Sequence, residues 1–221
     1  MPSDLAAFKG TAPNATVLLS AELDVRGLTF APANGTSNNR LGIVLTVLDA
    51  DAKVRVNERS NIDLTLTAAT LSRAMARGFR VTSAMNLPPG KYRVRLSVAE
   101  QNGRAGSVIQ DVAVPDFSSQ PLVMSGLTVS AASAAQAPTA RLKDDPITPV
   151  LMTVPTAMRE FARDDRLLVF AEVYENTRNA QPHAVELVTQ VRADGGTVVF
   201  NSREQRSSTE LQGGREIGRA H

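Results

Sequence analysis

The chain has 221 residues, of which 43% are hydrophobic and 21% charged, and its net charge is +2. This composition can bury a core, and it gives no global electrostatic attraction to nucleic acid. The absence of cysteine excludes disulfides, thiolate metal sites and cysteine nucleophiles. No apolar run approaches the ~18 residues of a membrane span, and the first residues lack the basic and apolar regions of a signal peptide.

Residues 87–98 carry the clearest pattern in the chain. A Pro-Pro-Gly corner leads into a segment in which Tyr92, Val94, Leu96 and Val98 alternate with Arg93, Arg95 and Ser97. Such alternation predicts a strand with one buried and one exposed face. Gly90 and Tyr92 at its start fit the tyrosine corner of immunoglobulin-like sandwiches, so we expect the Tyr92 ring in the core and its hydroxyl bonded to nearby backbone.

The first part of the chain contains alternating or apolar segments at short spacing. Residues 1–13 are interpreted as a lead-in and residues 31–39 as a surface loop. Strands are predicted over 15–24, 41–48, 53–57, 62–66, 79–85, 91–98 and 107–114, with a short helix over 68–77. This number of short strands predicts an immunoglobulin-like β-sandwich over residues 14–117.

The second part, residues 118–221, has fewer strand signals. Strands are predicted over 122–130, 167–174, 184–192 and 197–200, and a small-residue tract over 131–149 is interpreted as a flexible loop. A sandwich usually needs about seven strands, so we expect this second module to be truncated. The predicted fold class is therefore all-β, with two immunoglobulin-like modules.

Four stretches together resemble the C-terminal β-rich region of bacterial, acidobacterial-type von Willebrand factor type A (VWFA)-related proteins. They are residues 87–95, 106–107, 114–117 followed by 125–127, and 159–161 leading to 173–174. The resemblance implies an exported parent protein, secreted or periplasmic, with a VWFA domain upstream that binds a divalent ion through Asp-x-Ser-x-Ser. The present chain has no such motif, since Asp49-Ala50-Asp51 lacks the serines, so we expect a fragment or variant without that domain.

No constellation of residues predicts a catalytic, cofactor or metal site. The two histidines, His183 and His221, lie in a polar loop and at the last position, and no nucleophile elbow or phosphate-binding loop is present. The acidic pairs Asp144-Asp145 and Asp164-Asp165, and less so Asp49 with Asp51, could offer oxygen ligands to Ca²⁺, but adjacent acids in loops are more often solvated. Gly90, Tyr92, Pro115 and Tyr174 are expected to be structural.

Charge suggests where a partner could bind. Between Lys53 and Arg104 there are ten basic and three acidic residues. Arg93 and Arg95, together with the pair Arg159 and Arg163, are candidate interaction residues. We therefore expect a non-enzymatic region for protein–protein or surface interaction; the alternative is a carbohydrate- or polyanion-binding module of a secreted enzyme. Nucleic acid is not expected, because the basic region offers few aromatics for base stacking.

Overall fold

The computed structural model describes residues 1–177 and 181–211, with the side chains of residues 210 and 211 excepted. Within these ranges lie fifteen strands, one α-helix and three short 3₁₀ segments. The strands are β1 (Ser3–Lys9), β2 (Ala15–Leu23), β3 (Ala31–Ala33), β4 (Thr36–Asp49), β5 (Val54–Leu66), β6 (Phe79–Leu87), β7 (Gly90–Glu100), β8 (Ala105–Val114), β9 (Leu122–Met124), β10 (Thr128–Ala131), β11 (Thr139–Arg141), β12 (Leu167–Phe170), β13 (Val173–Glu175), β14 (Ala184–Arg192) and β15 (Val198–Ser207). The helix is α1 (Ala68–Arg77), and the 3₁₀ segments are Ala134–Gln136, Thr148–Val150 and Ser208–Leu211.

The chain is all-β, as the sequence predicts, and its first part is a two-sheet sandwich. Sheet A has the strand order β1-β2-β6-β11, and sheet B runs β5-β4-β7-β8, with β3 added to the start of β4. Every pair is antiparallel except β11 with β6. Alternate residues of the two sheets form the main core, which includes Val17, Leu19, Ala21, Leu41, Ile43, Leu45, Val47, Val94 and Leu96.

Residues 31–39, expected to be a loop, instead form the β3–β4 hairpin. Asn34 and Gly35 at its turn have φ of 49° and 74°. Both central residues of a tight type I′ hairpin need positive φ, and Asn-Gly is the favoured pair for it. The Pro, Asn and Gly content that suggested a loop is therefore the chemistry of a tight turn.

Strand β5 is one strand of 13 residues where two shorter ones were expected. The polar residues Glu58 and Arg59 that separated the two predictions continue the pairing with β4. Strand β5 lies at the sheet edge, where charged side chains are common because they discourage pairing with other chains. The predicted helix is present as α1, with the Thr67 hydroxyl accepting from Thr70 N at 3.2 Å.

Residues 1–13 are not a lead-in, because they contain β1. This strand pairs with β2 along its whole length and buries Ala6, Ala7 and Phe8. Ala7 faces the core between the sheets, whereas Ala6 and Phe8 belong to a second cluster on the other side of sheet A. Because its apolar run is short and lies between polar residues and proline, the sequence pattern did not predict a strand there.

Residues 122–175 form a third layer that covers the outer side of sheet A. Strand β10 pairs with β12, and β9 pairs with β13. Phe8 of sheet A packs with Phe170 of this layer at a ring-centroid distance of 5.8 Å, in a cluster that also holds the fully buried Ile147. The two parts of the chain described here therefore share an extensive interface.

The tract 131–149 is ordered rather than a flexible loop, and it is divided between sheet A and the third layer. Strand β11 lies within it and extends sheet A, and Leu142 N donates to Thr82 O at 2.8 Å. Its alanines and serines suggested a linker, but small residues also allow a segment to lie close against a sheet. Gly126, nearby, shows this closeness, since its N–H donates to Ala7 O and an added Cβ would lie 2.9 Å from Ala7 N.

Strands β14 and β15 form a long hairpin that pairs with no other strand in the described ranges. Val185 packs against Val173 at its base, whereas Val191 and Phe200 near its turn are exposed. An isolated two-stranded hairpin is only marginally stable in water, so contacts at the base matter to it. Across the described residues, no helix has the length and apolar character needed to cross a bilayer.

Candidate interaction surface

The outer face of sheet B is a broad surface whose side chains are exposed or half-buried in the described chain. Its side chains alternate with those of the core, as strand geometry requires. We define the outer face as Arg40, Gly42, Val44, Thr46 and Leu48 of β4; Val54, Asn57, Arg59, Asn61 and Asp63 of β5; Lys91, Arg93, Arg95, Ser97 and Ala99 of β7; and Ser107, Ile109, Asp111 and Ala113 of β8. Val54 and Ile109 are 59% and 56% exposed.

The outer face carries five basic and two acidic side chains. Both acids are paired: Arg93 contacts Asp111 through two hydrogen bonds of 2.9 and 3.2 Å, and Arg40 lies 3.4 Å from Asp63. The Arg93 guanidinium holds the pKa of Asp111 below its ordinary value. Because both pairs are exposed, they add little to stability.

Arg59 and Arg95 have no ion-pair partner among the described residues. They flank Val44 and Thr46 on opposite neighbouring strands, so their backbones are roughly 10 Å apart across the sheet. Arg95 also lies opposite the exposed Ile109. The centre of the outer face thus combines two unpaired cations with apolar and small side chains.

The ten basic residues from Lys53 to Arg104 do not all lie on the outer face of sheet B. Arg55 contacts Asp49 at 2.7 Å, and Arg80 is buried on the opposite side of sheet A. Arg104 donates to Gly27 O at one end of the sandwich. The basic surface suggested by residue counts is therefore reduced to a small group on the outer face.

Arg159 and Arg163 lie apart from Arg93 and Arg95. The Arg159 guanidinium contacts Asp4 of β1 at 2.7 Å and donates to Thr156 O at 3.0 Å, so it ties the third layer to sheet A. Arg163 is exposed and makes no ion pair within the described ranges. The four arginines singled out from the sequence do not form one site.

Tyr92 forms a tyrosine corner at the start of β7. Its hydroxyl donates to Pro88 O at 2.8 Å, and its ring is buried in the main core. Burial raises the pKa of the Tyr92 hydroxyl. A Cβ on Gly90 would lie 3.2 Å from this hydroxyl, which explains a glycine at that position.

Tyr174 joins the third layer to the sandwich. Its ring meets Phe117 edge-on at 5.4 Å and its hydroxyl accepts from Lys9 N at 3.0 Å while donating to Glu172. Pro115 is exposed and follows the last residue of β8, where it precedes Phe117. Tyr92 and Tyr174 therefore hold chain segments together.

A buried ion pair that sequence reasoning missed lies between sheet A and the third layer. Arg80 Nε contacts Glu22 Oε1 at 2.8 Å, and the two side chains are 1% and 5% exposed. Glu22 Oε1 also accepts from Thr156 Oγ1 at 2.7 Å, and Arg80 Nη2 donates to Ala134 O at 2.8 Å. Strand alternation placed Arg80 away from the main core, and nothing in the sequence indicated that another layer covers it.

The acidic pairs considered as Ca²⁺ ligands hold turns. Asp145 Oδ1 accepts from the N–H groups of Ile147 and Thr148 at 2.8 and 2.6 Å. Asp165 accepts from Ser133, and Asp49 accepts from Lys53 N at 2.9 Å. Nowhere in the described ranges do three or more His, Cys, Asp or Glu side chains converge as metal ligands would.

His183 lies before β14, with Nε2 3.5 Å from a Glu175 carboxylate oxygen and Nδ1 2.9 Å from Gln181 O. Within the described ranges, neither ring nitrogen is hydrogen-bonded to a serine or threonine hydroxyl. The His221 position lies outside the described residues.

Compared with protein-family models and with curated proteins, the chain gives no match in either case.

Proposed function

We propose that this chain is a non-enzymatic accessory β-sandwich region of an exported VWFA-related protein, and that it mediates protein–protein or surface interaction through the outer face of sheet B. The setting, secreted or periplasmic, follows from the resemblance alone. The interaction is supported by one contrast. The third layer covers the outer side of sheet A, whereas the outer face of sheet B exposes Val54, the unpaired Arg59, and Arg95, which is unpaired and lies opposite the exposed Ile109.

The mixture of groups on the outer face favours a protein partner. Exposed aliphatic side chains contribute by burial, and arginine is enriched at interface cores because it makes several directed hydrogen bonds. Small residues such as Gly42, Ala99 and Ser107 leave the surface open to close approach. A partner with carboxylate groups next to apolar side chains would complement both components.

A non-enzymatic role is supported by the use of the polar side chains. The acids considered as metal ligands cap turns, and the buried Glu22–Arg80 pair joins two layers. Substrate-dependent turnover that a point mutation in this chain abolishes would contradict this part of the proposal.

The interaction is tested by capture from an envelope extract of the source cell. The protein is immobilised as wild type, as Arg95→Glu and as the matched control Arg163→Glu, which reverses another exposed and unpaired arginine. We expect a protein retained by the wild type and the control and lost with Arg95→Glu. Equal retention by all three proteins would place the contact elsewhere.

Polyanion binding is the second candidate, and the unpaired Arg59, Lys91 and Arg95 on one face favour it. We expect retention on heparin that falls with salt and is lost with Arg93→Glu/Arg95→Glu. No retention at low salt would remove this candidate. Uncharged glycans and nucleic acid fit less well, because the outer face as described carries no aromatic ring for stacking.

A further inference from the structure

The β14–β15 hairpin has two outer edges with which no described strand pairs. Its strands are 9 and 10 residues long, and Val188, Val191 and Phe200 are 46%, 51% and 38% exposed. A hairpin of two strands is only marginally stable in water, whereas three or more strands with an apolar face form a stable sheet. Because an open edge is a template for another strand, the hairpin is an element that a further strand would complete.

The hydrogen-bonding groups at the open edge of β14 belong to its even-numbered residues. His183 O accepts from Ser208 N, and Ala193 N donates to Thr197 O, each at 2.8 Å, so odd-numbered residues bond the neighbouring chain segment at both ends of β14. Bonding to one neighbour alternates along an antiparallel strand. The backbone groups directed at the open edge are therefore those of the exposed residues Glu186, Val188, Gln190 and Arg192.

Strand β14 offers a better edge than β15. The register passes from the pair Val191–Phe200 to the pair Arg192–Val198, so a bulge lies in β15 at Val199 while β14 stays regular. A bulge interrupts the ladder and discourages further pairing. Strand β15 also carries two arginines and one glutamate, whereas β14 carries one residue of each sign. Two copies of β14 can therefore approach each other without net repulsion.

We propose that β14 pairs antiparallel with β14 of a second copy of this chain, about a two-fold axis at Thr189, and so forms a four-stranded sheet with β15 at both edges. In this register Glu186 lies opposite Arg192 of the second copy, and Leu187 lies opposite Val191 of the second copy. The two-fold axis repeats each of these contacts.

The charged side chains of β14 complement each other in this register. Arg192 donates to Gln190 Oε1 at 2.9 Å and has no ion-pair partner in the part of the chain that the structure describes. The Glu186 side chain is 48% exposed and lies 3.4 Å from Arg203 of β15, so its other side is open to a second cation. Opposite charges directly across a strand pair stabilise it, and like charges destabilise it.

A shift of the two-fold axis by one residue loses both ion pairs. With the axis at Val188, the β14 arginine lies opposite Ala184. With the axis at Gln190, the β14 glutamate lies opposite Asp194, which repels it. The register centred on Thr189 matches the charges and also places two threonines across from each other, a favourable cross-strand pair.

The same register joins apolar side chains and keeps the two molecules apart. Val191 pairs with Phe200 within the hairpin, so both lie in one row with Leu187 of the second copy. Antiparallel pairing puts the bases of the two hairpins at opposite ends of the new sheet, roughly 30 Å apart for strands of this length. The contact uses the hairpin and not the outer face of sheet B, so it is independent of the proposed function.

The test is sedimentation velocity of the full chain from about 1 µM to about 1 mM. We expect a reversible dimer with a dissociation constant on the order of 100 µM, because one strand pair makes a small interface. A monomer at every concentration would overturn the proposal and leave the edge of β14 to a strand of another protein.

Two charge variants test the register. Glu186→Arg and Arg192→Glu each place like charges opposite each other twice, so each should weaken self-association at least about tenfold. An equimolar mixture of the two variants should associate at least as well as wild type, because arginine then faces glutamate at both positions. Weakening of both variants without recovery in the mixture would overturn the pairing.

A backbone variant and a control complete the test. The Val188 N–H points to the open edge, so Val188→Pro should abolish the dimer and leave the β14–β15 ladder intact, with an unchanged circular dichroism spectrum. Arg163→Glu reverses an exposed arginine elsewhere and should leave the dimer unchanged. A dimer that Glu186→Arg, Arg192→Glu and Val188→Pro all leave unchanged would form through another surface and would overturn the proposal.

Discussion

Tyr92 fastens the start of β7 to the chain before it with one hydrogen bond. The bond from its hydroxyl to Pro88 O is 2.8 Å long and partly buried, and the ring packs into the main core. Tyr92→Phe keeps the ring and removes only the donor. We expect the free energy of unfolding to fall by about 1 kcal/mol, the usual net value of one such bond.

Denaturant unfolding followed by circular dichroism measures this change. Tyr92→Leu, which also loses ring packing, should cost more than Tyr92→Phe. An unchanged midpoint for Tyr92→Phe would mean that water replaces the hydroxyl at Pro88 O without cost.

Glu100 gives stability a specific pH dependence. Its pKa in the folded state lies below its ordinary value of 4.5. A carboxyl with a lowered folded-state pKa stabilises the fold above its unfolded-state pKa, and this contribution is lost as the pH falls through the folded-state pKa. We therefore expect the stability advantage of wild type over Glu100→Gln to be full near pH 6 and to shrink below pH 4.5.

Urea unfolding of both proteins across this pH range provides the measurement. The difference between the two proteins is the informative quantity, because the other carboxylates titrate in both. A difference that stays constant down to pH 3 would show that hydrogen bonds to the protonated carboxyl are as strong as those to the ion.

Helix α1 depends on a defined first turn. The Thr67 hydroxyl accepts from Thr70 N at 3.2 Å, and Gly78, with φ of 80°, ends the helix by donating to Ala74 O. Thr67→Ala removes an N-cap and should lower the free energy of unfolding by about 1 kcal/mol. The exposed Ser72→Ala inside the same helix should instead be neutral or slightly stabilising, because alanine is the better helix former.

Thermal unfolding of these two variants provides the comparison. If both shift the midpoint equally, the hydroxyl at position 67 does not act as a cap in solution.

The elements that the sequence predicted well are those with a strong local pattern. An apolar run identified β4, alternation identified β7, and the run of helix formers before Gly78 identified α1. Strand β1 was missed because its apolar run is short, and β11 was missed because a three-residue strand in a small-residue tract has no pattern of its own. Both are stabilised by distant partners, and periodicity does not report such pairing.

The candidate surface was only partly predictable for the same reason. Arg93 and Arg95 were assigned correctly to the exposed face of β7 by alternation. The pairing of Arg93 with Asp111 depends on register between strands, and the burial of Arg80 depends on the third layer. Glu100 is in phase with Tyr92, Val94, Leu96 and Val98, so alternation places it on the buried face, but the predicted strand ended at residue 98 and did not include it.

The described residues form three layers. Sheet B packs on sheet A, and segments of residues 122–175, with Ile147 and Phe170, pack on the other side of sheet A. The outer side of sheet A carries Phe8 and Leu18, which would face water without this layer. Because the third layer covers one side of the sandwich, the outer face of sheet B is the sheet face that stays exposed in the described part of the chain.

This arrangement makes a prediction about cooperativity. Ile147, 1% exposed, comes from the tract expected to be a flexible loop, and it packs in one cluster with Phe8 and Phe170. Ile147→Ala should lower the free energy of unfolding by about 2–5 kcal/mol, as deletion of a buried aliphatic side chain usually does. The same substitution at Ile109, 56% exposed on the outer face, should change it by no more than about 0.5 kcal/mol.

Calorimetry and amide hydrogen exchange distinguish one folding unit from two. If sheet A and the third layer unfold together, Ile147→Ala should weaken the protection of the Arg80 amide, which donates to Pro138 O, and of the Leu142 amide by similar amounts. Two separate calorimetric transitions, with only the second displaced by Ile147→Ala, would contradict this arrangement. In that case the layer would be an independent module that merely rests on the sandwich, and the outer side of sheet A would be a further surface available to partners.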